Sequence, residues 1–177
     1  MAEEKLIPLT KGYFTRVDSA DFTSLSQHKW QVMLCRRKAY ARRSICQNGV
    51  TTHIYMHREI TGATTEKVDH RDNNGLNNTR GNLRFATPTQ NNINCPKFKG
   101  NSSRYKGVCF NRQRNKWVAA IRLNGRSVYL GGFKEECDAA LAYNFAVYEA
   151  HGEFAWMNAP LDAAMQPQAR AGESDQQ

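Results

Sequence analysis

The sequence predicts an α+β fold: short antiparallel strands and few helices, shared between two small units. Three observations lead there. Short runs rich in β-branched and aromatic residues recur between turn signals over residues 12 to 60 and again over 104 to 133. One long stretch alone has sustained helical periodicity, with Ala139, Ala142, Tyr143, Ala146, Val147 and Ala150 at helical spacing and Gly152 as a stop. Between the two strand-rich regions, NCPKFKGNSS lacks apolar periodicity and combines Pro, Gly, Asn and Ser, the composition of a linker. With 177 residues and 40% hydrophobic composition, two modest cores are more natural than one large one. The boundaries expected are 1–94 for the first domain, 95–102 for the linker, 103–158 for the second domain and 159–177 for a disordered tail rich in Ala, Gln, Pro and acids.

In chain order, GYFTRV, WQVML, KAYARRSI and TTHIYMH are expected as strands of a small β-rich part, with a tight turn at Gln47-Asn48-Gly49. MHREITGA is expected as a short helix ended by Gly62. In TPTQNNIN, Thr87 suits an N-cap and Pro88 the first helical position, so Asn91 falls on the first turn. After the linker, RYKGVCFN, KWVAAIRLNG and RSVYLGGF make three strands, and KEECDAALAYNFAVYEAHG makes the helix that packs across them.

Charge narrows the partner. The net charge is +9, and from Asn73 to Lys134 there are twelve Lys or Arg and no Asp or Glu. Such an unopposed field suits a polyanion, with nucleic acid first. No run of eighteen apolar residues occurs, and the N-terminus lacks the basic-then-apolar order of a leader, so a soluble cytoplasmic protein without a membrane partner is expected. The five cysteines, Cys35, Cys46, Cys95, Cys109 and Cys137, are odd in number and never spaced C-x-x-C, which argues against a disulfide framework or a cysteine zinc site.

The chemistry concentrates in VDHRDNNGLNNTRGNLRFATPTQN, Val68 to Asn91. A calcium loop starting at Asp69 fails, because its third and twelfth positions are Arg71 and Arg80. An Asn-rich hairpin is the plain alternative. The segment resembles the HNH homing endonucleases of phages and introns, a type of ββα-metal nuclease, through Asp69-His70, Asn82-Leu83-Arg84 and Asn91 in type, order and spacing. Upstream WQV, YARR and YMHREITGA look like the region that precedes the motif in such proteins.

The resemblance implies His70 as general base and Asn82 as the residue that holds the loop and orients the His70 imidazole through its carbonyl. It implies Asp69 and Asn91 as oxygen ligands of one divalent metal, Mg2+ with Mn2+ as the other candidate, and products with 5′-phosphate and 3′-hydroxyl ends. Arg84 and His57 stand outside that catalytic set as lesser candidates for phosphate contact.

Residues 103 to 158 resemble the ethylene-response-factor-type (APETALA-like) DNA-binding domain of plants, through YKGV, KWVAAIR, YLGGF, ECDAALAYNFA and HGEFAWMN. In that family the sheet enters the major groove. Strand alternation puts Trp117, Ala119 and Ile121 on one face and Lys116, Val118, Ala120 and Arg122 on the other, so the basic face should meet DNA. Family positions select Lys106, Arg122 and Tyr129, while charge and strand position add Phe110, Arg112, Arg114, Lys116 and Arg126. Where the family has a base-reading Arg and a Glu, this chain has Cys109 and Ala120, so the plant target does not carry over.

The sequence therefore points to a metal-dependent HNH DNA endonuclease, monomer or homodimer, targeted to double-stranded DNA by its second module. The alternative is a catalytically inactive, sequence-specific DNA-binding regulator.

Overall fold

A computed structural model describes residues 3–35, 38–97, 100 and 102–158. The chain divides into two units, 1–92 and 93–177, each with its own core. The fold is α+β, with small antiparallel sheets and few helices, as the sequence predicts. Of the expected features, the Arg36-Arg37 pair, the tail from residue 159 and part of the linker lie outside the described residues.

The first unit opens with a hairpin of β1 (Glu4–Pro8) and β2 (Phe14–Asp18), followed by α1 (Ser19–Leu25). A meander of β3 (Gln31–Cys35), β4 (Lys38–Gln47) and β5 (Val50–Tyr55) comes next. Asn48 and Gly49, both at positive φ, close its β4–β5 turn, the conformation that an Asn-Gly pair tolerates best. α2 (Met56–Thr61) then ends at Gly62 in the left-handed conformation. Next, β6 (Lys67–His70) pairs antiparallel with β7 (Leu83–Ala86), and α3 (Pro88–Ile93) completes a ββα arrangement. α3 begins with a capping box: Thr87 Oγ1 accepts from the Gln90 amide and Gln90 Oε1 accepts from the Thr87 amide.

Val17, Trp30, Ala41, Met56, Ile60 and Leu83 form the core, so hairpin, meander, α2 and the ββα strands share one apolar interior. The indole of Trp30 donates to the Leu25 carbonyl at 2.8 Å, which satisfies its one polar atom inside that core.

The second unit is the sheet β8 (Val108–Asn111), β9 (Lys116–Leu123) and β10 (Arg126–Phe133), in the order β10-β9-β8, covered on one face by α4 (Glu136–His151). Ala139, Ala140, Tyr143 and Val147 of α4 are buried with Val108, Ala119 and Ile121. Gly107 permits this closeness, since a Cβ there would sit 1.9 Å from Cδ2 of Tyr143.

Ile93 packs against this core, and two residues of the expected linker touch it: Cys95 O and Ser102 Oγ accept hydrogen bonds from Lys106 and Phe110. Asn158 fastens the end of the described chain by bonding both backbone groups of Lys106 and both side-chain ends of Asn144.

Two elements were not expected, β1 and α1. β1 carries one buried side chain, Ile7, beside the exposed Leu6. α1 is made of weak helix formers and buries only Leu25.

Candidate active site and nucleic-acid face

His70 is the last residue of β6, and Asp69 precedes it on the same strand, so the two side chains leave on opposite faces. On one face Asp69 lies opposite Arg84 of β7, whose Nε and Nη2 both donate to Oδ2, at 2.9 and 2.8 Å. The pair is buried, with the Asp69 residue 2% exposed. On the other face the His70 ring meets His57 edge-on at 5.2 Å and Tyr40 at 6.0 Å between ring centres. His57, left outside the expected catalytic set, is thus part of the surroundings of His70.

His70 Nε2 lies 3.2 Å from Oδ1 of Asn78, a residue that no sequence argument singled out. A chain of donors fixes which way round that amide sits. Thr15 Oγ1 donates to the Leu76 carbonyl at 2.8 Å, a far better acceptor than the Met56 sulfur at 3.9 Å. Having given its proton away, Thr15 Oγ1 accepts from Asn78 Nδ2 at 2.7 Å. Asn78 then turns its oxygen to His70, and Nε2 must be the protonated nitrogen. Asn78 and Thr15 are both fully buried, so water cannot substitute for either.

While the carbonyl at His70 Nε2 is that of Asn78, Asn82 holds the loop. Its Oδ1 accepts from the Asp72 amide, and its Nδ2 donates to Asp72 Oδ1 and the Asn77 carbonyl. Its own backbone carbonyl accepts from the Arg71 amide. Asp72 in turn accepts from the Asn74 amide and from Asn77 Nδ2. The Asn-rich loop is therefore a set of side-chain fasteners that carries the chain from β6 to β7.

Asn91, the fourth residue of α3, lines a cavity of about 480 Å3 with Tyr40, Tyr55, His57, Arg58 and Val68. Asp69 is not among its walls. Burial, then the neighbouring His70 and Arg58, pull the His57 pKa down to about 4. Burial also lowers the His70 pKa, opposed by the Asn78 bond and by Asp72 and Asp69, so both rings favour the neutral form.

On the second unit, register sorts the expected nucleic-acid residues. Lys116, Arg122 and Tyr129 share the face turned away from α4, together with Cys109, Val118 and Ala120. All three of the expected residues are exposed. Arg112 and Arg114 are exposed in the β8–β9 turn.

Three of the expected residues stand apart from that open face. Phe110 pairs with Trp117 on the α4 side of the sheet, with ring centres 5.0 Å apart, so the period of the strand carries it away from the basic face. Arg126 pairs with Leu123 and lies on that same side in register. Lys106 is half-buried, and its ammonium donates to the Ile93 and Cys95 carbonyls at 2.8 Å each, so a phosphate contact would forfeit both bonds. Burial lowers its pKa.

Over 91 residues the chain is 43% identical to an uncharacterized HNH endonuclease of Acanthamoeba polyphaga mimivirus, covering 51% of this chain and 46% of the relative. It is 40% identical over 87 residues to a protein of Arabidopsis thaliana named as dehydration-responsive element-binding protein 2H, covering 45% of this chain and 54% of the relative. Protein 3.8 of Escherichia phage T7 is 36% identical over 59 residues, 33% of this chain and 49% of its own length. The chain thus spans about half the length of the curated relatives it matches. No family model matches, and no solved structure does. No helix among the described residues is long and apolar enough to cross a membrane.

Proposed function

We propose that this chain is a metal-dependent DNA endonuclease of the HNH kind, whose second unit holds double-stranded DNA. The observation that carries the proposal is the buried His70, kept neutral by burial and protonated on Nε2, which faces the Asn78 oxygen that Thr15 orients. An imidazole so arranged keeps its lone pair on Nδ1, and that nitrogen takes the proton of the water that attacks phosphorus. Asn82 keeps His70 and the following loop in place through Asp72 and Arg71. The similarity to the mimiviral protein named an HNH endonuclease supports the same reading.

In kind, a carboxylate at Asp69 and an amide oxygen at Asn91 suit a hard divalent cation, but Asp69 Oδ2 is engaged by Arg84 and Asp69 is not a wall of the Asn91 cavity. No group of three His, Cys, Asp or Glu that could hold a metal occurs among the described residues. An ion held there would take its remaining ligands from water and phosphate, as magnesium prefers and manganese accepts. When bound, such an ion offsets the charge that builds on the phosphate and the leaving oxygen. In the second unit, Lys116 and Arg122 supply phosphate affinity from the open sheet face. A monomer would nick one strand, and a symmetric dimer would cut both.

The Arg84 guanidinium on Asp69 Oδ2 favours a second reading, a DNA-binding regulator without cleavage, because it already neutralises the one carboxylate of the proposed site. Conversion of supercoiled DNA to nicked and linear forms, with magnesium or with EDTA, decides between them. Cleavage abolished by EDTA and reduced by about two or more orders of magnitude in His70→Ala supports the nuclease. Binding without cleavage supports the regulator.

A further inference from the structure

The open face of the second unit's sheet is basic at its margins and apolar at its centre. Lys116 lies opposite Asn111, and Arg122 opposite Ser127, at the two ends of β9. Between them Cys109 faces Val118 and Ala120 faces Tyr129. Gly132, opposite Val118, adds no side chain; a Cβ there would meet Tyr129 Oη at 3.1 Å and Lys116 Cδ at 3.5 Å. The middle of the face is thus a floor of a thiol, an isopropyl group and a methyl, bordered at the Gly132 end by the exposed Tyr129 phenol and the Lys116 stem. Cys109 on this floor is an exposed free thiol.

Charge complementarity selects the occupant. Lys116, Arg122, Arg112 and Arg114 are exposed, and no acid occurs between Asn73 and Lys134. The margins can hold phosphates on either side of a groove while the floor faces base edges. The Tyr129 hydroxyl, beside Gly132, is the polar group at the edge of that floor; Cys109, Val118 and Ala120 themselves offer no guanidinium, amide or carboxylate to a base. A guanine or cytosine edge pressed on these three small side chains would lose water and gain no partner from them, a cost that apolar contact does not offset. A thymine edge presents its C5-methyl, which gains from losing water.

We propose that Cys109, Val118 and Ala120 select thymine methyl groups in the major groove, so that the recognised core is T-containing rather than G-rich. The inference rests on the reading that this unit holds duplex DNA. The flanking lysine and arginines set affinity and register, and the three small side chains set which duplex is retained.

The test uses the full chain in EDTA, which suppresses cleavage, and selects from a pool of randomised duplexes. Thymine should be enriched at two or more core positions. Replacing those thymidines with deoxyuridine, which removes only the methyl, should weaken binding about fourfold per methyl, the factor that burial of one such group corresponds to. Cys109→Arg, at an exposed position that leaves the fold intact by circular dichroism, should move one selected base from T to G. A G- or C-rich core, or a deoxyuridine duplex bound as tightly as the parent, overturns the methyl readout while leaving duplex binding in place. Failure to bind any duplex at low salt overturns the DNA-holding reading as well.

Discussion

His57 ties stability to acidity. Its pKa in the fold is about 4, against 6.5 when unperturbed, because burial and the neighbouring His70 and Arg58 disfavour its charged form. The unfolded chain therefore takes up this proton first. The stabilisation is complete above about pH 6.5 and is lost progressively as the pH falls towards 4, on the order of 3 kcal/mol from this ring. Urea midpoints measured between pH 7.5 and 4.5 should fall steeply for wild type and less steeply for His57→Gln; equal slopes would mean that the ring is hydrated. Arg84→Met should cost about 3 kcal/mol or more, since it strips the guanidinium from a buried carboxylate. At this scale the sequence was partly legible. Asp69, His70, Asn82 and Asn91 stand out by type and spacing, and His70 and Asn82 do sit at the ends of one fastened loop. Asn78 was invisible, because it is one of five asparagines between Asn73 and Asn82 and only its burial distinguishes it. Lys106 misled for the converse reason, since a lysine that bonds two carbonyls looks in sequence like one that awaits a phosphate.

At the scale of elements, strands with strong alternation and helices with caps could be placed in advance, and weak ones could not. β9 declares its two faces in KWVAAIR, and α3 declares its start in Thr87-Pro88. β1 and α1 hold their places through packing around Ile7, Val17 and Leu25, a tertiary effect that no local pattern announces. Phe110 shows the limit of charge and position as guides: one residue beyond Cys109, it has already crossed the sheet. Gly107→Ala should destabilise the second unit by about 3 kcal/mol, because the new methyl collides with the Tyr143 ring at a positive-φ position. A parallel Gly125→Ala change, also at positive φ but with open space around it, should cost less; thermal melts of the two would separate collision from backbone strain. Thr87→Ala should cost about 1 kcal/mol by opening the capping box of α3.

At the scale of the molecule, composition suited two units and a polyanionic partner, and the chain divides into 1–92 and 93–177, each with its own core. The expected linker was less legible, because Cys95 and Ser102 act through single hydrogen bonds that leave no periodic trace. In a salt titration of duplex binding, Arg122→Ala should flatten the slope by about one counterion, whereas Lys106→Ala should leave the slope unchanged and lower thermal stability instead. Equal slopes for both variants and wild type would place the anion-binding face elsewhere. The first strands also bear on how the proposed catalytic part could be moved between proteins. Arg16 bonds its backbone amide to Leu76 and its carbonyl to the Asn78 amide, Thr15 fixes the Asn78 side chain, and Asp18 and Asp21 grip Arg80. The motif loop is thus laid along the β2 strand like a third ribbon. A cassette cut to begin at the Asp-His pair would carry the recognisable letters and leave behind the frame that gives His70 its orientation. A transplantable version has to start some sixty residues earlier, at β1.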